Sequence, residues 1–405
     1  MRVHVHDFSG HPFQAQLSRG LARRGHGVTH GHCGQYLSGH GRLAVQAGDP
    51  DTLRFTDLVA PVPLERYSPR GRLRFERSYG ATLGAALVAE RPDVAVLCNI
   101  PLFAQAVTAD ALAGAGIPWV FWHQDVYSAG VAAEAARKLP APAARVAGAY
   151  AVRVEKELLR RAAAVVAIGE PFVDRYRTWR LPTDHVSVIP NWAPVDEITP
   201  RPRENGWWPL AGDGLRLLYA GTLGRKHNPL LLLDLADALR EQDVAAGLVV
   251  ASEGAGAELL RDTLAAGPPR DDVGLAPFQP AEVLPDMLGS ADVLVAQLEP
   301  DAALFSIPSK VLSYLAAGRP VLVFAPAGNP CAADVRATGG LVCEPTAAGV
   351  REAAAWLAAL RREEADAIGR RARALALERF EIEGITDRFE QVLGSVARPA
   401  AAVAV

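Results

Sequence analysis

Short apolar runs alternate with longer helical patterns along nearly the whole chain of 405 residues. The apolar runs are rich in Val, Leu and Ile, and the stretches between them have helical periodicity. This alternation is typical of parallel strands joined by crossover helices. Runs that are apolar at every position, such as 94–97 and 293–296, predict sheets covered by helices on both faces. We therefore expect an α/β protein.

The alternation occurs in both halves of the chain, which predicts two domains, because a chain of this length exceeds one typical core. In the first half the predicted strands lie near residues 2–6, 27–32, 94–98, 117–122, 164–168 and 186–189, and the predicted helices near 12–24, 101–114 and 145–162. In the second half the predicted strands lie near 215–220, 246–251, 292–296 and 320–324, and the predicted helices near 228–241, 255–266, 309–317 and 347–360.

The segment between the two halves contains several prolines, tryptophans and charged residues, which is typical of an interdomain linker. We predict a Rossmann-like N-terminal domain over 1–190, a linker over 191–212 and a Rossmann-like C-terminal domain over 213–380. The last helical pattern, about 381–397, is expected to cross back onto the first domain.

The segment from Tyr219 to Pro229 has the residues expected of a phosphate-binding turn between a strand and a helix. Gly221 and Gly224 allow a tight turn and close approach of the backbone to a ligand. Arg225 and Lys226 add two adjacent cations, and the amides at the following helix start favour an anion. We predict that a diphosphate binds here. An ordinary turn with solvated charges is the alternative.

A second helix start, at Ser309, carries Lys310 in its first turn. A cation at a helix N-terminus opposes the helix dipole unless an anion neutralises it. The chain has only four lysines among 42 lysines and arginines, and two of the four are Lys226 and Lys310. Both segments are therefore predicted to contact an external negative group.

Composition argues against several classes of protein. A net charge of −3 argues against a nucleic-acid-binding protein, whose binding domain is usually strongly basic. The four cysteines lie far apart, so neither a zinc site nor a disulfide framework is predicted. The N-terminus passes directly into a strand pattern, and no run approaches the ~20 apolar residues of a spanning helix. We expect a cytoplasmic protein without a metal.

The chain resembles the family 4 retaining glycosyltransferases of the GT-B fold over nearly its whole length. Residues 219–229 are similar to the family's loop Gly-Thr/Asn-Leu-Gly-Arg-Lys-His, and residues 188–192 resemble its interdomain strand end. Residues 308–321 look most like a branch that makes bacterial surface polysaccharides, including colanic acid. Residues 117–123 resemble the acceptor-domain strand that delivers a histidine, here His123, to the reaction centre.

The resemblance implies two Rossmann-like parallel-sheet domains that face each other across a cleft. It also implies a retaining enzyme that moves a sugar from a nucleotide-sugar donor, a UDP-sugar, to a glycan or lipid-linked acceptor in the synthesis of cell-surface polysaccharide or glycoconjugate. The nucleotide-sugar is a substrate, so no cofactor is implied. Because such acceptors are often carried on membrane lipid, contact with the inner face of the membrane is an open alternative, and the basic and apolar segment 66–77 is its candidate surface.

The resemblance assigns roles to individual residues. Arg225 and Lys226 would stabilise the diphosphate leaving group, and His123 would lie near the transferred sugar unless it is only a packed histidine. The donor-binding residues would be Gly221, Thr222, Gly224, Phe278, Ser309 and Lys310.

The acceptor side would include Asp7, Gly10 and Asp125, which follow strands in the first half. In parallel α/β sheets, ligands collect beyond the carboxyl ends of the strands, where these residues are expected. An aspartate at a helix entrance is often only an N-cap, which is the alternative for Asp7.

The chain departs from the family at one pair of positions. The two glutamates of the family, seven residues apart, fall on Phe305 and Ser313, and Glu299 or Asp301 just upstream could compensate. Two further functions stay open at this point. One is a UDP-acetamido-sugar 2-epimerase on the same fold, which would need additional carboxylates in the cleft. The other is a non-catalytic protein that binds a nucleotide-sugar.

Overall fold

The computed structural model describes residues 1–36, 41–65, 68–223, 228–298 and 309–398. The chain divides into two compact units. Unit 1 comprises Met1–Pro190 together with the C-terminal segment from Ile382, and unit 2 comprises Asn191–Glu381. Each unit is built around one parallel sheet, and each is described by itself below.

The sheet of unit 1 has seven parallel strands. They are β1 (Arg2–Asp7), β2 (Gly27–Cys33), β3 (Leu53–Leu58), β4 (Val94–Cys98), β5 (Trp119–His123), β6 (Ala164–Ala167) and β7 (Val186–Val188), in the order β3-β2-β1-β4-β5-β6-β7. The connecting helices are α1 (Pro12–Arg23), α2 (Pro69–Glu90), α3 (Leu102–Gly114), α4 (Tyr127–Lys138), α5 (Ala141–Arg161) and α6 (Glu170–Thr178).

The sheet of unit 2 has six parallel strands. They are β8 (Leu215–Ala220), β9 (Ala246–Ala251), β10 (Val273–Ala276), β11 (Val293–Gln297), β12 (Val321–Phe324) and β13 (Leu341–Cys343), in the order β10-β9-β8-β11-β12-β13. The helices are α7 (Leu230–Glu241), α8 (Ala255–Ala266), α9 (Leu284–Gly289), α10 (Ser309–Ala316), α11 (Pro330–Thr338), α12 (Ala347–Ala359) and α13 (Arg362–Arg379).

The central strands of both sheets are buried at every position, as in β4, β5, β11 and β12. Helices on both faces keep water from these strands, which is why they consist of apolar residues without alternation. Two such sheets confirm the predicted α/β class with two Rossmann-like parallel-sheet domains.

The last helix, α14 (Ile382–Val396), packs on unit 1. Phe389 is fully buried and meets the indole of Trp122 edge-on, with ring centroids 4.6 Å apart. The backbone of α1 comes close at Gly20, where a Cβ would lie 2.6 Å from Thr386 Oγ1. Arg24 at the end of α1 binds carboxylates of α14, so charge as well as apolar burial attaches this helix.

Several elements lack the pattern that predicts the others. Strand β3 lies at the sheet edge and is mostly exposed, so it has no apolar run. The 22-residue helix α2 was also missed, because its buried residues Phe75, Tyr79, Leu83 and Leu87 recur only once per turn among arginines and glycines. A narrow apolar stripe of this kind gives a weak helical period.

Helices α2 and α3 approach closely because α2 has a glycine at their contact. A Cβ on Gly80 would lie 2.3 Å from the carbonyl oxygen of Ala104. We expect Gly80→Ala to destabilise the protein by about 1–3 kcal/mol, since neither backbone can move without cost. Thermal unfolding would measure the change. Gly114→Ala at the end of α3 is the control, because nothing lies within 4 Å of its Cβ position. Equal stability of the two variants would contradict this packing.

Candidate functional site

Each sheet has a switch point, where the chain leaves a central strand and continues on its other side. The switch point lies between β1 and β4 in unit 1 and between β8 and β11 in unit 2. In open parallel sheets a crevice forms there, beyond the carboxyl ends of the strands, and ligands commonly bind in it. The side chains at these two places are therefore the candidate functional residues.

In unit 2, Lys310 at the start of α10 lies over the end of β8. Its Nζ is 3.9 Å from the centroid of the Tyr219 ring and donates a hydrogen bond to the Tyr219 hydroxyl. That hydroxyl in turn donates to the carbonyl oxygen of Thr222. Gly221 leaves room for the lysine, because a Cβ there would lie 3.1 Å from Lys310 Cε, and its φ of 126° favours glycine.

A second tyrosine fixes α10 against the end of β8. The hydroxyl of Tyr314, on the same helix as Lys310, accepts from the amide of Ala220 and donates to its carbonyl oxygen, both at 2.9 Å. Tyr314 is almost completely buried. The position of Lys310 relative to Gly221 is therefore set by packing and hydrogen bonds.

The ammonium group of Lys310 forms no ion pair with any carboxylate in the described ranges. Burial alone lowers its pKa to about 7. A buried cation without a counter-ion is costly, because hydration is lost and no opposite charge replaces it. An anion bound beside Lys310 would favour the charged form of the lysine.

The structure brings three of the predicted donor residues together: Gly221, Thr222 and Lys310. Phe278 is half-buried after the edge strand β10, two strands away from β8. Gly224, Arg225, Lys226 and the side chain of Ser309 lie outside the described residues.

In unit 1, Asp7 joins the loop after β1 to the loop after β4. Its buried carboxylate accepts hydrogen bonds from the amides of Ser9 and His11 and, at 2.7 Å, from the side-chain amide of Asn99. Gly10 has a φ of 71°, and its amide donates to the Asp7 carbonyl oxygen. Asp7 thus holds the whole turn that leads into α1, and the N-cap position itself belongs to His11.

Three titratable side chains share this edge of unit 1. Burial raises the pKa of Asp7, but the hydrogen bonds and charge of His11, together with Asn99, outweigh burial and lower it to about 2. Burial lowers the pKa of the half-buried His11, but Asp7 and the charge of Asp125 outweigh it and raise the pKa. The predicted acceptor-side residues Asp7 and Asp125 therefore act on a common histidine.

Sequence reasoning missed His11 and Asn99. The ring Nδ1 of His11 lies 3.2 Å from Asn99 Nδ2 and 3.7 Å from the Asp7 carboxylate. Asn99 has a φ of 56° directly after β4. A polar residue immediately after a fully apolar strand is the signal that would have indicated Asn99.

His123 ends β5, and its ring is fully buried. Its Nδ1 lies 2.6 Å from the Tyr176 hydroxyl and its Nε2 lies 3.1 Å from Glu155 Oε1. Both ring nitrogens are thus used within the unit. The predicted contact of His123 with the sugar remains a prediction, and in this arrangement it would run through the main chain rather than the ring.

Glu155 on α5 is the centre of that buried network. Besides His123, its carboxylate accepts hydrogen bonds from the amides of Tyr127 and Ser128 and from the Ser128 hydroxyl. Those amides begin α4, whose own N-cap, Val126, has no side-chain acceptor. Glu155 therefore caps α4 and fixes the loop that carries Asp125.

Two features are absent from the ranges that the structure describes. No group of three or more His, Cys, Asp or Glu side chains is arranged there to hold a metal ion. His4 and His6 on β1 instead bind Glu90 and Tyr79, respectively. No helix among the described residues has the length and apolar content needed to cross a bilayer.

Comparison with known proteins matches two parts of the chain to two family models. Residues 11–192 match a family model described as "Glycosyl transferase 4-like domain", and residues 204–375 match one described as "Glycosyl transferases group 1". No curated protein matches the chain.

Solved structures match over nearly the full length. Sucrose-phosphate synthase from Thermosynechococcus elongatus has a TM-score of 0.72 at 16% identity, over 98% of each chain. Anabaena HepE in complex with UDP and glucose has a TM-score of 0.68 at 17% identity, over 98% of this chain and 100% of that one. A glycosyltransferase from Rickettsia africae has a TM-score of 0.64 at 11% identity, over 98% of each chain. At these identities the likeness shows the fold.

The desolvated ammonium of the half-buried Lys310 generates a prediction about stability. We expect Lys310→Met to stabilise the protein by about 1 kcal/mol or more at pH 7, since it removes a desolvated charge that has no carboxylate partner among the described residues. The folded-state pKa of about 7 lies below the ~10.4 of an unfolded lysine, so the unfolded state binds more protons between these values. Wild-type stability should therefore gain from this group as pH rises through that window, and the advantage of the variant should shrink.

Thermal unfolding at pH 7 and pH 9 measures both effects. Lys156→Met on α5 is the control, because Lys156 lies in the other unit. An equal effect of the two substitutions, or a variant advantage that grows with pH, would contradict the lowered pKa of Lys310.

Proposed function

This chain is a glycosyltransferase of the GT-B fold, and we propose that it transfers a sugar from a UDP-sugar to a glycan or lipid-linked acceptor with retention of the anomeric configuration. The observation that carries the proposal is the half-buried Lys310 beside Gly221, at the switch point of unit 2, with a pKa that desolvation lowers to about 7. A diphosphate would fit this position, because the backbone at Gly221 and the cation of Lys310 could both contact it.

Solved complexes of the same fold support UDP as the nucleotide. Anabaena HepE has been solved with UDP, with UDP and glucose, and with UDP-glucose. The resemblance of residues 308–321 to the branch that makes bacterial surface polysaccharides supports an acceptor of that class. We propose that the enzyme acts in the synthesis of a cell-surface polysaccharide or glycoconjugate.

The chemistry requires stabilisation of a leaving diphosphate. As the bond from the anomeric carbon to the phosphate oxygen breaks, negative charge grows on that oxygen. A protonated Lys310, together with Arg225 and Lys226, would oppose this charge by fixed electrostatics, and one such group typically contributes about a hundredfold in rate. Binding of the diphosphate would raise the pKa of Lys310, which desolvation lowers in the free protein. The lysine would then take up a proton and be positively charged in the complex.

In a front-face reaction the leaving phosphate oxygen takes the proton of the acceptor hydroxyl, so no protein nucleophile is needed. The acceptor would bind at the switch point of unit 1. There Asp7 and Asn99 hold the loop that positions His11, and Glu155 fixes the loop that carries Asp125. His11 and Asp125 would offer polar contacts to the acceptor hydroxyls.

The test is donor turnover. A panel of nucleotide-sugars is first screened by thermal shift, where a ligand at a hundred times its dissociation constant stabilises by roughly 2.7 kcal/mol. With the best donor, we expect slow release of UDP by the wild type and a loss of about a hundredfold in Lys310→Met, Arg225→Ala and Lys226→Ala. Lys156→Met is the control and should keep its activity.

Three outcomes would contradict the proposal. A changed sugar without release of UDP would indicate an epimerase, and donor binding without turnover would indicate a nucleotide-sugar sensor. Full activity of Lys310→Met would remove the assigned diphosphate site.

A further inference from the structure

Helices α4 and α5 form a hairpin that extends beyond the carboxyl edge of the sheet in unit 1. The 21 residues of α5 span about 31 Å, whereas the four residues of β6, which follows it, span about 13 Å. Glu155 meets the first residues of α4 at the sheet edge. The part of α5 before Glu155, about 20 Å long, therefore projects past that edge together with α4.

The projecting hairpin exposes large apolar side chains. Val146 is 70% exposed, Tyr150 is 57% exposed and Leu139, between the two helices, is 42% exposed. Val146 and Tyr150 are one helical turn apart and so lie on the same face of α5. The Tyr150 ring stacks on Phe103 with centroids 5.9 Å apart, which holds the tyrosine in place. Exposed apolar side chains that cluster in this way are typical of a surface that binds a protein or a membrane.

The same segment is strongly basic. Residues 135–154 contain four cations and no Asp or Glu, in a chain whose net charge is −3. Arg145 and Arg153 are exposed on α5 beside the apolar side chains. Arg137 and Lys138 pair with Glu134, but exposed pairs of this kind are weak and leave the segment positive. A second copy of the chain would bring like charges together, so the occupant that fits is an anionic surface.

The segment 66–77, which the sequence suggested for membrane contact, has a different arrangement in its described part. Phe75 is fully buried, and its ring packs near those of Phe8 and Tyr79. Arg72 binds Glu76 at 2.8 Å and Arg74 binds Glu65 at 3.4 Å. Its largest described apolar side chain therefore faces the core, and two of its cations have partners.

We propose that the α4–α5 hairpin docks the protein on an anionic membrane surface. Leu139, Val146 and Tyr150 enter the boundary between headgroups and acyl chains, and Arg145 and Arg153 contact the headgroups. The docking stands on the surface of unit 1 alone and does not require the proposed transfer reaction. It would bring the carboxyl edge of that sheet to the level of a lipid-borne acceptor.

The experiment is sedimentation of the full chain with vesicles at low salt. Wild type should bind vesicles that contain about a third phosphatidylserine and should not bind pure phosphatidylcholine. Val146→Asp/Tyr150→Asp should weaken binding by at least about tenfold, because two apolar contacts become charges repelled by the lipid. Arg145→Glu and Arg153→Glu should each weaken it by about fivefold or more, and high salt should do the same.

Matched controls separate docking from general surface effects. Val45 and Val59 are 58% and 57% exposed elsewhere in unit 1, so Val45→Asp/Val59→Asp should bind vesicles like the wild type. Thermal unfolding of every variant checks that it is folded. Absence of wild-type binding would overturn the proposal, as would equal losses in the control. A sedimentation coefficient that falls only in Val146→Asp/Tyr150→Asp, with vesicle binding unchanged, would show instead that a second copy covers this face.

Discussion

A half-buried lysine ammonium without a carboxylate partner among the described residues is the interaction on which this account depends. Lys310 is held by the face and hydroxyl of Tyr219, and Gly221 leaves the space that the lysine side chain needs. The cation–π interaction with the Tyr219 ring offsets part of the lost hydration energy, but it is weaker than an ion pair with a carboxylate. The pKa of about 7 shows that the charged form of Lys310 is destabilised relative to a lysine in water. An anion that binds beside Lys310 replaces the electrostatic stabilisation that the lysine loses on desolvation. This gain contributes to the affinity for the anion.

The two switch points have the same construction but opposite charge balance. In each, a residue that follows the second strand fixes the end of the first: Asn99 binds Asp7 in unit 1, and Tyr314 binds Ala220 in unit 2. In unit 1 the carboxylate is fully compensated, since hydrogen bonds outweigh burial and its pKa falls to about 2. In unit 2 the described residues give the Lys310 ammonium no carboxylate partner, and desolvation lowers its pKa. This difference is consistent with our proposal that the diphosphate binds in unit 2 and a hydroxyl-bearing acceptor binds in unit 1, near the half-buried His11.

The sequence predicted the parts of this structure that repeat a strong local pattern. Central strands such as β4 and β11 are apolar throughout because both faces are covered. This pattern allowed the two parallel sheets to be predicted from the sequence. Edge strand β3 and helix α2 were not predicted, because burial on one narrow face leaves few apolar residues. At the site, glycine and helix-dipole arguments predicted that Gly221 and Lys310 each belong to an anion-binding segment, and the structure brings these two residues together. The deep burial of the His123 ring was not predicted, because its partners Glu155 and Tyr176 come from distant helices and share no local motif.

Proton uptake on binding of UDP tests the central claim most directly. Isothermal titration at pH 8, in buffers that differ in ionisation enthalpy, counts the protons taken up by the complex. Because free Lys310 is mostly neutral at that pH, the wild type should take up close to one proton and bind about tenfold more weakly for each pH unit above 7. Lys310→Met should take up none. Tight binding of UDP to the wild type without proton uptake would contradict the account.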